Sequence, residues 1–428
     1  MNVKREFFFQ IVIVLVLIAS CSAPKKAAIP AAVKKPEMPA VKTSPVLMPA
    51  VKTADDIFFE KLYKSDPASF DKIFQHKNDW KVQIIYTEIK RMGKGKSEFT
   101  DHNFNKEAAE YFYPASAIKL PLALLALQKI NELRERGVYR NTTMLTGSAY
   151  SGQTEVYNDP NTPAGKPSIE QYIKRAMLVN DNDACNRLYE FLGQEYINAE
   201  LKKHGYDDVE ILHRVGIDLS DEENRHTNPV SFYDSLNRFL YTQPAQYNKN
   251  RYSRRNDFVG AGHVSNGKMI KQPMNMSSKN NVSLLNFHTM LKSVFFPGRR
   301  AEGTFNITDS DRVFLFSLMG QDPGEASSPF YSGDHYNGYT KYLFYGGEKY
   351  RGQSLRSFNT SGAAYGQMTD AALFFNETGK IEFILSATIY CNSDGIINDD
   401  KYDYNTVGLP FFKNLGRAVY EYELKKKR

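Results

Sequence analysis

Ser116 and Lys119 stand three residues apart, in the stretch Tyr113-Pro-Ala-Ser-Ala-Ile-Lys-Leu-Pro121 at the predicted start of a helix. Side chains at positions i and i+3 share one helical face, so the amine can reach the hydroxyl. A serine hydroxyl becomes a good nucleophile when a neighbouring base takes its proton, and a partly desolvated lysine can be that base. The helix N-terminus adds free N–H groups beside the serine. The pair therefore predicts a nucleophilic serine activated by a lysine.

The helix that carries this pair is apolar around almost its whole circumference through Leu133. Such a pattern is typical of a buried helix. A lysine in its first turn is costly to bury without a role or a partner. The alternative is an ordinary core helix, in which Ser116 is an N-cap and Lys119 extends its amine to water.

The order of helical and strand patterns predicts the fold class. Helical periodicity covers 55–74 with a break at Pro67, 116–133, 168–178, a segment ending at 192, 194–204 and 409–424. Strand patterns cover 81–90, 97–104, 354–360, 371–375 and 381–391. We therefore expect an α/β fold of the α+β type, whose antiparallel sheet is formed by both chain ends, flanked by helices and interrupted by an inserted helical subdomain. Residues 235–345 mix aromatic helical fragments with Gly/Ser/Asn loops, which predicts an elaborated insertion.

The N-terminus predicts export from the cytoplasm. Lys4 and Arg5 precede an apolar run from Ile11 to Ile18 that is too short to span a membrane. The run ends in Ile18-Ala-Ser-Cys21, which resembles a bacterial lipobox. Residues 1–20 are then a lipoprotein signal peptide and Cys21 carries the lipid, which would anchor the protein in the cell envelope, facing the periplasm or the exterior. The alternative is a plain secretory signal with an incidental cysteine.

Residues 21–53 predict a linker, and residues 54–428 the folded domain. The linker is rich in Pro, Ala and Lys and repeats the hexamer Met-Pro-Ala-Val-Lys-Thr, which favours an extended spacer. Residues 1–53 contain eight Lys/Arg and two Asp/Glu, a net charge of +6 that leaves only +1 for residues 54–428. The basic charge therefore favours contact with anionic lipid headgroups, and no nucleic-acid partner is predicted.

The remaining cysteines and acidic residues predict neither a disulfide framework nor a metal site. Cys185 and Cys391 lie far apart in the sequence and are expected to be buried free thiols. No Cys/His cluster has metal-ligand spacing, and the acidic loop 394–403 lacks the register of a calcium-binding loop. We therefore predict no metal and no cofactor.

Two further motifs extend the Ser116 pattern. Asn180-Asp181-Asn182 lies between two predicted helices, and Thr360-Ser361-Gly362 lies on a predicted strand. With Ser116-Ala-Ile-Lys119, they make residues 80–424 resemble the class A β-lactamase and penicillin-binding superfamily of serine acyl-enzymes. The pattern of that family is Ser-x-x-Lys, Ser-Asp-Asn and Lys-Thr/Ser-Gly. The first motif is intact, while Asn180 replaces a serine and Thr360 replaces a lysine.

The resemblance implies a role for each matching residue. Ser116 attacks a carbonyl carbon, and Lys119 takes or relays its proton. The backbone N–H groups of Ser116 and Ala363 form an oxyanion hole. Asn182 bonds the lysine amine and the substrate amide, and Ser361 donates a hydrogen bond to a substrate carboxylate.

The departures from the family pattern imply impaired steps. The amide of Asn180 cannot pass a proton to a leaving nitrogen, so cleavage of amides should slow. Thr360 lacks the charge that helps to hold a substrate carboxylate. Gly216 falls where the family has its deacylating glutamate, with Asp218 or Glu222 as candidate replacements. Without such a base, turnover of a β-lactam should be slow.

The sequence thus predicts a β-lactamase-like serine hydrolase that acts through a Ser116 acyl-enzyme on a β-lactam or a peptidoglycan-like amide or ester. The alternative is a catalytically impaired envelope lipoprotein that uses the same fold to bind peptidoglycan or a protein partner. In that case the Asn180–Asn182 cluster only caps a helix and Thr360–Gly362 is an ordinary strand end. His226 and His263 are interpreted as structural, because Lys119 already supplies a base.

Overall fold

The computed structural model describes most of the chain after the linker. The described residues are 53–93, 96–105, 111–252, 255–297, 304–328, 331, 335–336, 338–350, 355–376, 378 and 380–426. The predicted signal peptide, Cys21 and all of the linker except Thr53 lie outside them and stay predictions. Within the described part, no helix is both long and apolar enough to cross a bilayer.

Helices occupy most of the positions that the periodicity predicted. They are α1 (Ala54–Lys64), α2 (Pro67–Gln75), α3 (Lys119–Glu132), α4 (Ile169–Leu178), α5 (Asn182–Leu192), α6 (Gln194–Lys203), α7 (Asp221–Arg225), α8 (Leu284–Phe295), α9 (Asp309–Gly320) and α10 (Leu409–Lys425). Thr53 caps α1 by accepting from the backbone N–H of Asp56 at 3.1 Å, and Pro67 opens α2. A proline at a first helical position is favourable because that N–H has no partner in the helix.

The strands divide into one large sheet and several small ones. They are β1 (Gln83–Gly93), β2 (Lys96–Phe104), β3 (Thr143–Thr146), β4 (His226–Thr227), β5 (Val230–Tyr233), β6 (Phe239–Gln243), β7 (Gln246–Tyr247), β8 (Phe258–Val259), β9 (Gly262–Ser265), β10 (Lys268–Ile270), β11 (Met274–Asn275), β12 (Arg356–Ala364), β13 (Gln367–Asn376), β14 (Ile381–Tyr390) and β15 (Ile396–Ile397). The large sheet has the order β12-β13-β14-β1-β2, and all its neighbours are antiparallel. The predicted fold class is confirmed, because this sheet joins strands from both chain ends.

Side-chain alternation buries both faces of the sheet. Ile84 and Tyr86 of β1 lie in the core that contains side chains of α1, α2 and α10. Ile85, between them, lies in the larger core that contains α3, α4, α5 and α8. Successive strand residues point to opposite faces, so a strand covered on both sides needs apolar residues at nearly every position. The sheet is therefore the middle layer between two sets of helices.

The insertion over residues 235–345 contains more strand than the sequence predicted. Residues 255–280, within the part predicted as helical fragments and loops, include β8 to β11, which are two to four residues long. Such short strands leave no readable alternation in the sequence. Val259 and Met276 from this region pack in one cluster with Tyr113 and Ala115. The insertion therefore supports the segment that immediately precedes Ser116.

Candidate active site

Ser116 lies in a 3₁₀ turn rather than in the first turn of an α-helix. The turn covers Ala115–Ile118, and α3 begins at Lys119. Side chains at i and i+3 of a 3₁₀ helix are eclipsed, so Lys119 stands directly over Ser116. The lysine Nζ is 2.9 Å from the serine Oγ. The structure thus brings the predicted nucleophile and base into direct contact.

The backbone before Ser116 is strained. Ala115 has a φ of +47°, a region that non-glycine residues rarely occupy. The backbone N–H of Ala117 donates to the carbonyl of Pro114 at 2.9 Å, and this hydrogen bond closes the turn. Ala115 is buried, so its surroundings hold it in this conformation. Strain of this kind persists where packing enforces it, and it clusters at functional sites.

The amine of Lys119 is enclosed by oxygen atoms. Its side chain is only 1% exposed. Besides Ser116 Oγ, Nζ contacts Asn180 O at 2.5 Å, Asn180 Oδ1 at 2.6 Å and Asn182 Oδ1 at 2.9 Å. An ammonium has three N–H groups for these four oxygens, whereas a neutral amine has two and can also accept the serine proton. The arrangement therefore holds the amine in place in either protonation state.

Burial shifts the titration of this lysine toward neutral pH. Desolvation disfavours the charged form and lowers the pKa of Lys119 to about 8, against smaller opposing effects of Cys185 and Asp181. At pH 7 roughly a tenth of such a group is neutral. A base with a pKa near the working pH is well placed for proton transfer.

The junction between α4 and α5 aims the two asparagines. Asn180 has a φ of +61°, a left-handed conformation that asparagine tolerates. Asp181 caps α5 by accepting from the backbone N–H of Ala184 at 3.0 Å. Arg175 binds the other oxygen of Asp181 at 2.7 Å. The cluster therefore caps a helix through Asp181, while Asn180 and Asn182 bind the amine of Lys119.

Gly216 lies directly against Asn182. A Cβ at this glycine would stand 2.4 Å from the Nδ2 atom of Asn182, and the φ of Gly216 is +67°. A side chain at this position would displace the amide of Asn182 and would strain the backbone. The position at which the family resemblance expects a glutamate is therefore a glycine packed against Asn182, with no side chain to activate water.

The two candidate substitutes for that glutamate point elsewhere. Glu222 lies 3.7 Å from His226 and 3.8 Å from Arg225. Asp218 is exposed and lies near enough to Tyr365 to contribute to raising the pKa of that phenol. Among the described residues, neither carboxylate hydrogen-bonds Ser116 or Lys119.

Strand β12 passes directly against the Ser116 turn. A Cβ at Gly362 would stand 2.7 Å from Pro114 O and 2.8 Å from the backbone nitrogens of Ser116 and Ala117. Only a glycine permits this approach. Thr360 lies on the same strand, and the hydroxyl of Ser361 donates to the carbonyl of Thr340 at 2.6 Å. Ser361 is thus already engaged by the protein, a contact the sequence did not predict.

A small cavity connects these elements at Ser116. Its volume is about 10 Å³, enough for one water molecule. Residues from the 3₁₀ turn, from the end of α4 and from β12 line it: Ser116, Lys119, Ala176, Met177, Asn180, Thr340, Asn359, Thr360 and Ser361. Ser116 and Lys119 therefore share one cavity with two of the predicted substrate-binding residues, Thr360 and Ser361.

The other sequence-based assignments have separate positions. Ala363 is half-buried, one residue beyond Gly362 on β12. Cys185 and Cys391 are buried free thiols, as predicted.

His226 stacks on Tyr150 with ring centroids 3.8 Å apart, and His263 Nδ1 lies 2.9 Å from a backbone carbonyl. Both histidines have structural contacts. The described residues contain no His/Cys/Asp/Glu cluster able to hold a metal ion.

Several residues of the site were not identified from the sequence. Thr340 reaches the cavity from a loop, and Ala176 and Met177 reach it from the last turn of α4. Arg175 binds the carboxylate of Asp181. Its position shortly before the Asn180 motif is the only sequence signal that could have indicated this contact. Thr340 left no such signal, because only tertiary folding brings its loop beside β12.

A family model and several solved structures are similar to this chain. Residues 68–251 match the model described as the beta-lactamase enzyme family. This segment of the chain is similar to that family. The matched segment contains the 3₁₀ turn, α3 and the α4–α5 junction, and it ends before β12. Comparison of the sequence with curated proteins gives no match.

Solved β-lactamases align with this chain over most of its length. A β-lactamase from Burkholderia vietnamiensis is 11% identical, with a TM-score of 0.48, and the match covers 88% of this chain and 99% of that one. A β-lactamase from Xanthomonas campestris is 12% identical, with a TM-score of 0.45, and the match covers 86% of this chain and 97% of that one. A class A β-lactamase representative from Bacteroides cellulosilyticus is 12% identical, with a TM-score of 0.44, and the match covers 83% of this chain and 96% of that one. The roles proposed below rest on this chain's own residues.

Proposed function

We propose that this protein is a serine hydrolase that acts through a Ser116 acyl-enzyme on a β-lactam or a related amide or ester. The observation that carries the proposal is the 2.9 Å contact between Ser116 Oγ and the buried amine of Lys119. A hydroxyl beside a partly deprotonated amine has the arrangement of an activated nucleophile.

Acylation would proceed by proton transfer and carbonyl attack. The neutral amine of Lys119 takes the Ser116 proton while Oγ forms a bond to the carbonyl carbon, and the negative charge moves to the carbonyl oxygen. The N–H groups of Ser116 and Ala363 would stabilise that oxygen. The close approach of Gly362 to Ser116 N supports this role, because it places the two predicted donors on adjoining segments.

Collapse of the intermediate requires a proton on the leaving group. The amide of Asn180 can position the lysine amine but cannot relay a proton to a departing nitrogen. The proton would have to return from Lys119 itself. Esters, whose leaving groups need this proton less, and strained β-lactams should therefore react faster than unstrained amides.

Release of the acyl group is proposed to be slow. No carboxylate hydrogen-bonds Ser116, Lys119, Asn180 or Asn182 in the described part of the chain, and Gly216 leaves no space for one beside Asn182. Water activation would then fall to Lys119 alone. We expect the acyl-enzyme to accumulate.

Covalent labelling tests this proposal. The purified full-length protein is incubated with a labelled penicillin and with an activated ester, and the intact mass is measured. We expect a stable adduct that is absent from Ser116→Ala and retained in Ser317→Ala, which removes an exposed hydroxyl on α9. A chromogenic β-lactam then measures turnover. An adduct that persists in Ser116→Ala, or none with any probe, would contradict the proposal.

A binding protein without catalysis is the second candidate. The cavity of about 10 Å³ at Ser116 is much smaller than a ligand site of roughly 300 Å³ or more. Absence of acylation by all probes, together with retained binding of peptidoglycan fragments, would favour this alternative. In both cases the lipid anchor at Cys21 and the location in the cell envelope remain proposals from the sequence.

A further inference from the structure

Beyond Gly362, strand β12 leads into a second and larger cavity. Ala363 and Ala364 form one end of an open groove of about 470 Å³. The remaining walls carry three tyrosines, two asparagines and one aspartate: Tyr365, Tyr402, Tyr404, Asn398, Asn405 and Asp400. The groove and the Ser116 cavity are therefore lined by consecutive parts of one strand.

Three of the residues that line the groove have unusual backbone conformations. Tyr365, Asn398 and Asp400 have φ values of +53°, +62° and +63°. Tyr365 and Gly366 form the two-residue connection between β12 and β13, where both φ values are positive and asparagine or glycine is preferred at the first position. A tyrosine is a costly choice at that position. The ring of Tyr365 packs against that of Tyr113 with centroids 5.0 Å apart, so this strained residue links the groove to the segment before Ser116.

The tyrosine rings of the groove are held in place. The hydroxyl of Tyr404 accepts from the backbone N–H of Gly366 at 2.8 Å, and the hydroxyl of Tyr402 accepts from that of Asn398 at 2.8 Å. The rings of Tyr402 and Tyr404 lie with centroids 5.0 Å apart. Fixing aromatic side chains before binding removes an entropic cost that a ligand would otherwise bear. The groove is therefore a preformed surface.

We propose that this groove binds a saccharide. Pyranose rings present faces of C–H groups that pack on aromatic rings, and their hydroxyls bond to amide and carboxylate groups. The tyrosines supply the rings, while Asn398, Asn405 and Asp400 supply exposed amide and carboxylate groups at the rim. The lining itself contains one carboxylate, that of Asp400, and is otherwise neutral, which suits a neutral ligand; Asp218 and Asp399 lie near its tyrosines.

The groove would place a glycan beside the acylated serine. A ligand that follows β12 from the groove reaches Gly362, whose backbone contacts the Ser116 turn. This link rests on the proposed function and implies a substrate in which a sugar accompanies the reactive carbonyl. Saccharide binding in the groove does not require the chemistry at Ser116.

Calorimetric titration with triacetylchitotriose and with cellotriose tests the proposal on the full-length protein. We expect saturable binding by at least one trisaccharide and a loss of about tenfold in affinity in Tyr402→Ala, from removal of one ring. Tyr402→Phe, which keeps the ring, should lose less. Tyr157→Ala removes an exposed tyrosine outside the groove and should bind as the wild type does. Asn405→Ala offers a second groove variant with little risk to folding, because the residue is exposed.

The saccharide site would be overturned by the absence of saturable binding of either trisaccharide, or by binding that is unchanged in both Tyr402→Ala and Asn405→Ala. Binding of a lysine peptide in place of the sugars, abolished in Asp400→Asn, would also overturn it. Ser116→Ala should retain saccharide binding. Acylation without saccharide binding therefore contradicts the groove alone, and saccharide binding without acylation contradicts the proposed function alone.

Discussion

Lys119 and Lys129 are both buried lysines, and they differ in what surrounds them. Lys129 is 8% exposed, and burial lowers its pKa to about 7. Its Nζ binds the carbonyls of Phe191 and Leu192 at 2.7 and 3.2 Å, at the C-terminus of α5, where a cation is favourable. A lowered pKa therefore does not identify a catalytic lysine by itself. Lys119 differs because a serine hydroxyl lies within hydrogen-bond distance of its amine.

The titration of Lys119 gives a prediction for the pH dependence of acylation. In the proposed mechanism the neutral amine is the base, and burial lowers the pKa of Lys119 to about 8. The rate of acylation should therefore rise as pH increases through about 8 and level off above it, because the neutral fraction grows until the amine is fully deprotonated. Stopped-flow or quenched mass spectrometry with a labelled penicillin measures this rate between pH 6 and pH 10.

Spontaneous hydrolysis of the probe is measured in parallel with Ser116→Ala and subtracted. Lys119→Met, which keeps the length of the side chain without the amine, should abolish the pH-dependent phase. A rate that is flat or that falls across this range would show that the amine is not the base.

At the scale of secondary-structure elements, three segments meet at Ser116. The 3₁₀ turn supplies the hydroxyl, the α4–α5 junction supplies the amide oxygens that hold the amine, and β12 closes the site from the other side. The sheet order places β12 at the edge of the large sheet. An edge strand has backbone groups that no neighbouring strand uses, and these are available to a substrate.

Gly362→Ala should damage the site more than the fold. The new Cβ would stand 2.7–2.8 Å from three backbone atoms of the Ser116 turn, so β12 and the turn must separate. A displacement of about 1 Å in a reacting group can reduce a rate by roughly 100-fold. We expect a loss of that size in the acylation rate, measured by adduct formation over time.

Gly267→Ala is the matched control, because its Cβ would meet no atom within 4 Å. Its positive φ of +70° costs roughly 1–2 kcal/mol of stability as alanine, while acylation should be unchanged. Equal acylation rates in Gly362→Ala and wild type would exclude a role for this contact.

The elements differ in how well the sequence predicted them. The long amphipathic or apolar segments, such as α10 and β14, have patterns that local physics determines. The 3₁₀ turn at Ser116 was predicted as α-helix, because both conformations place residues three apart on one face. Asn180 and Asn182 were identified from motif spacing. Thr340 and the short strands of the insertion depend on contacts between segments far apart in the sequence, which no local pattern encodes.

At the scale of the molecule, distant parts of the chain enforce the conformation of one residue. Ala115 and Tyr113 pack with Val259 and Met276 from the insertion and with Ile397 from β15. An alanine at positive φ relaxes unless its surroundings prevent it. The insertion therefore supports the 3₁₀ turn that carries Ser116.

Paired methionine truncations test this support. Met276 and Met290 are both buried, but Met276 lies in the cluster beneath Ala115 and Met290 lies in the large helical core. Each Met→Ala change should cost about 2–5 kcal/mol in the free energy of unfolding, measured by urea denaturation. Only Met276→Ala should also reduce acylation at a temperature where both variants are folded. Equal reductions in the two variants would mean that the insertion merely adds stability.

The pairing of β1 with β14 has a consequence for how the protein matures. Gln83 pairs with Thr388, so the central sheet joins segments from nearly opposite ends of the polypeptide. Closing so long a loop is entropically expensive, and contacts of this separation form late and slowly. The edge strand that faces Ser116 belongs to the C-terminal portion. A nascent chain that still lacks β12 therefore lacks one side of the proposed site, and we expect Ser116 to become reactive only once synthesis is nearly complete.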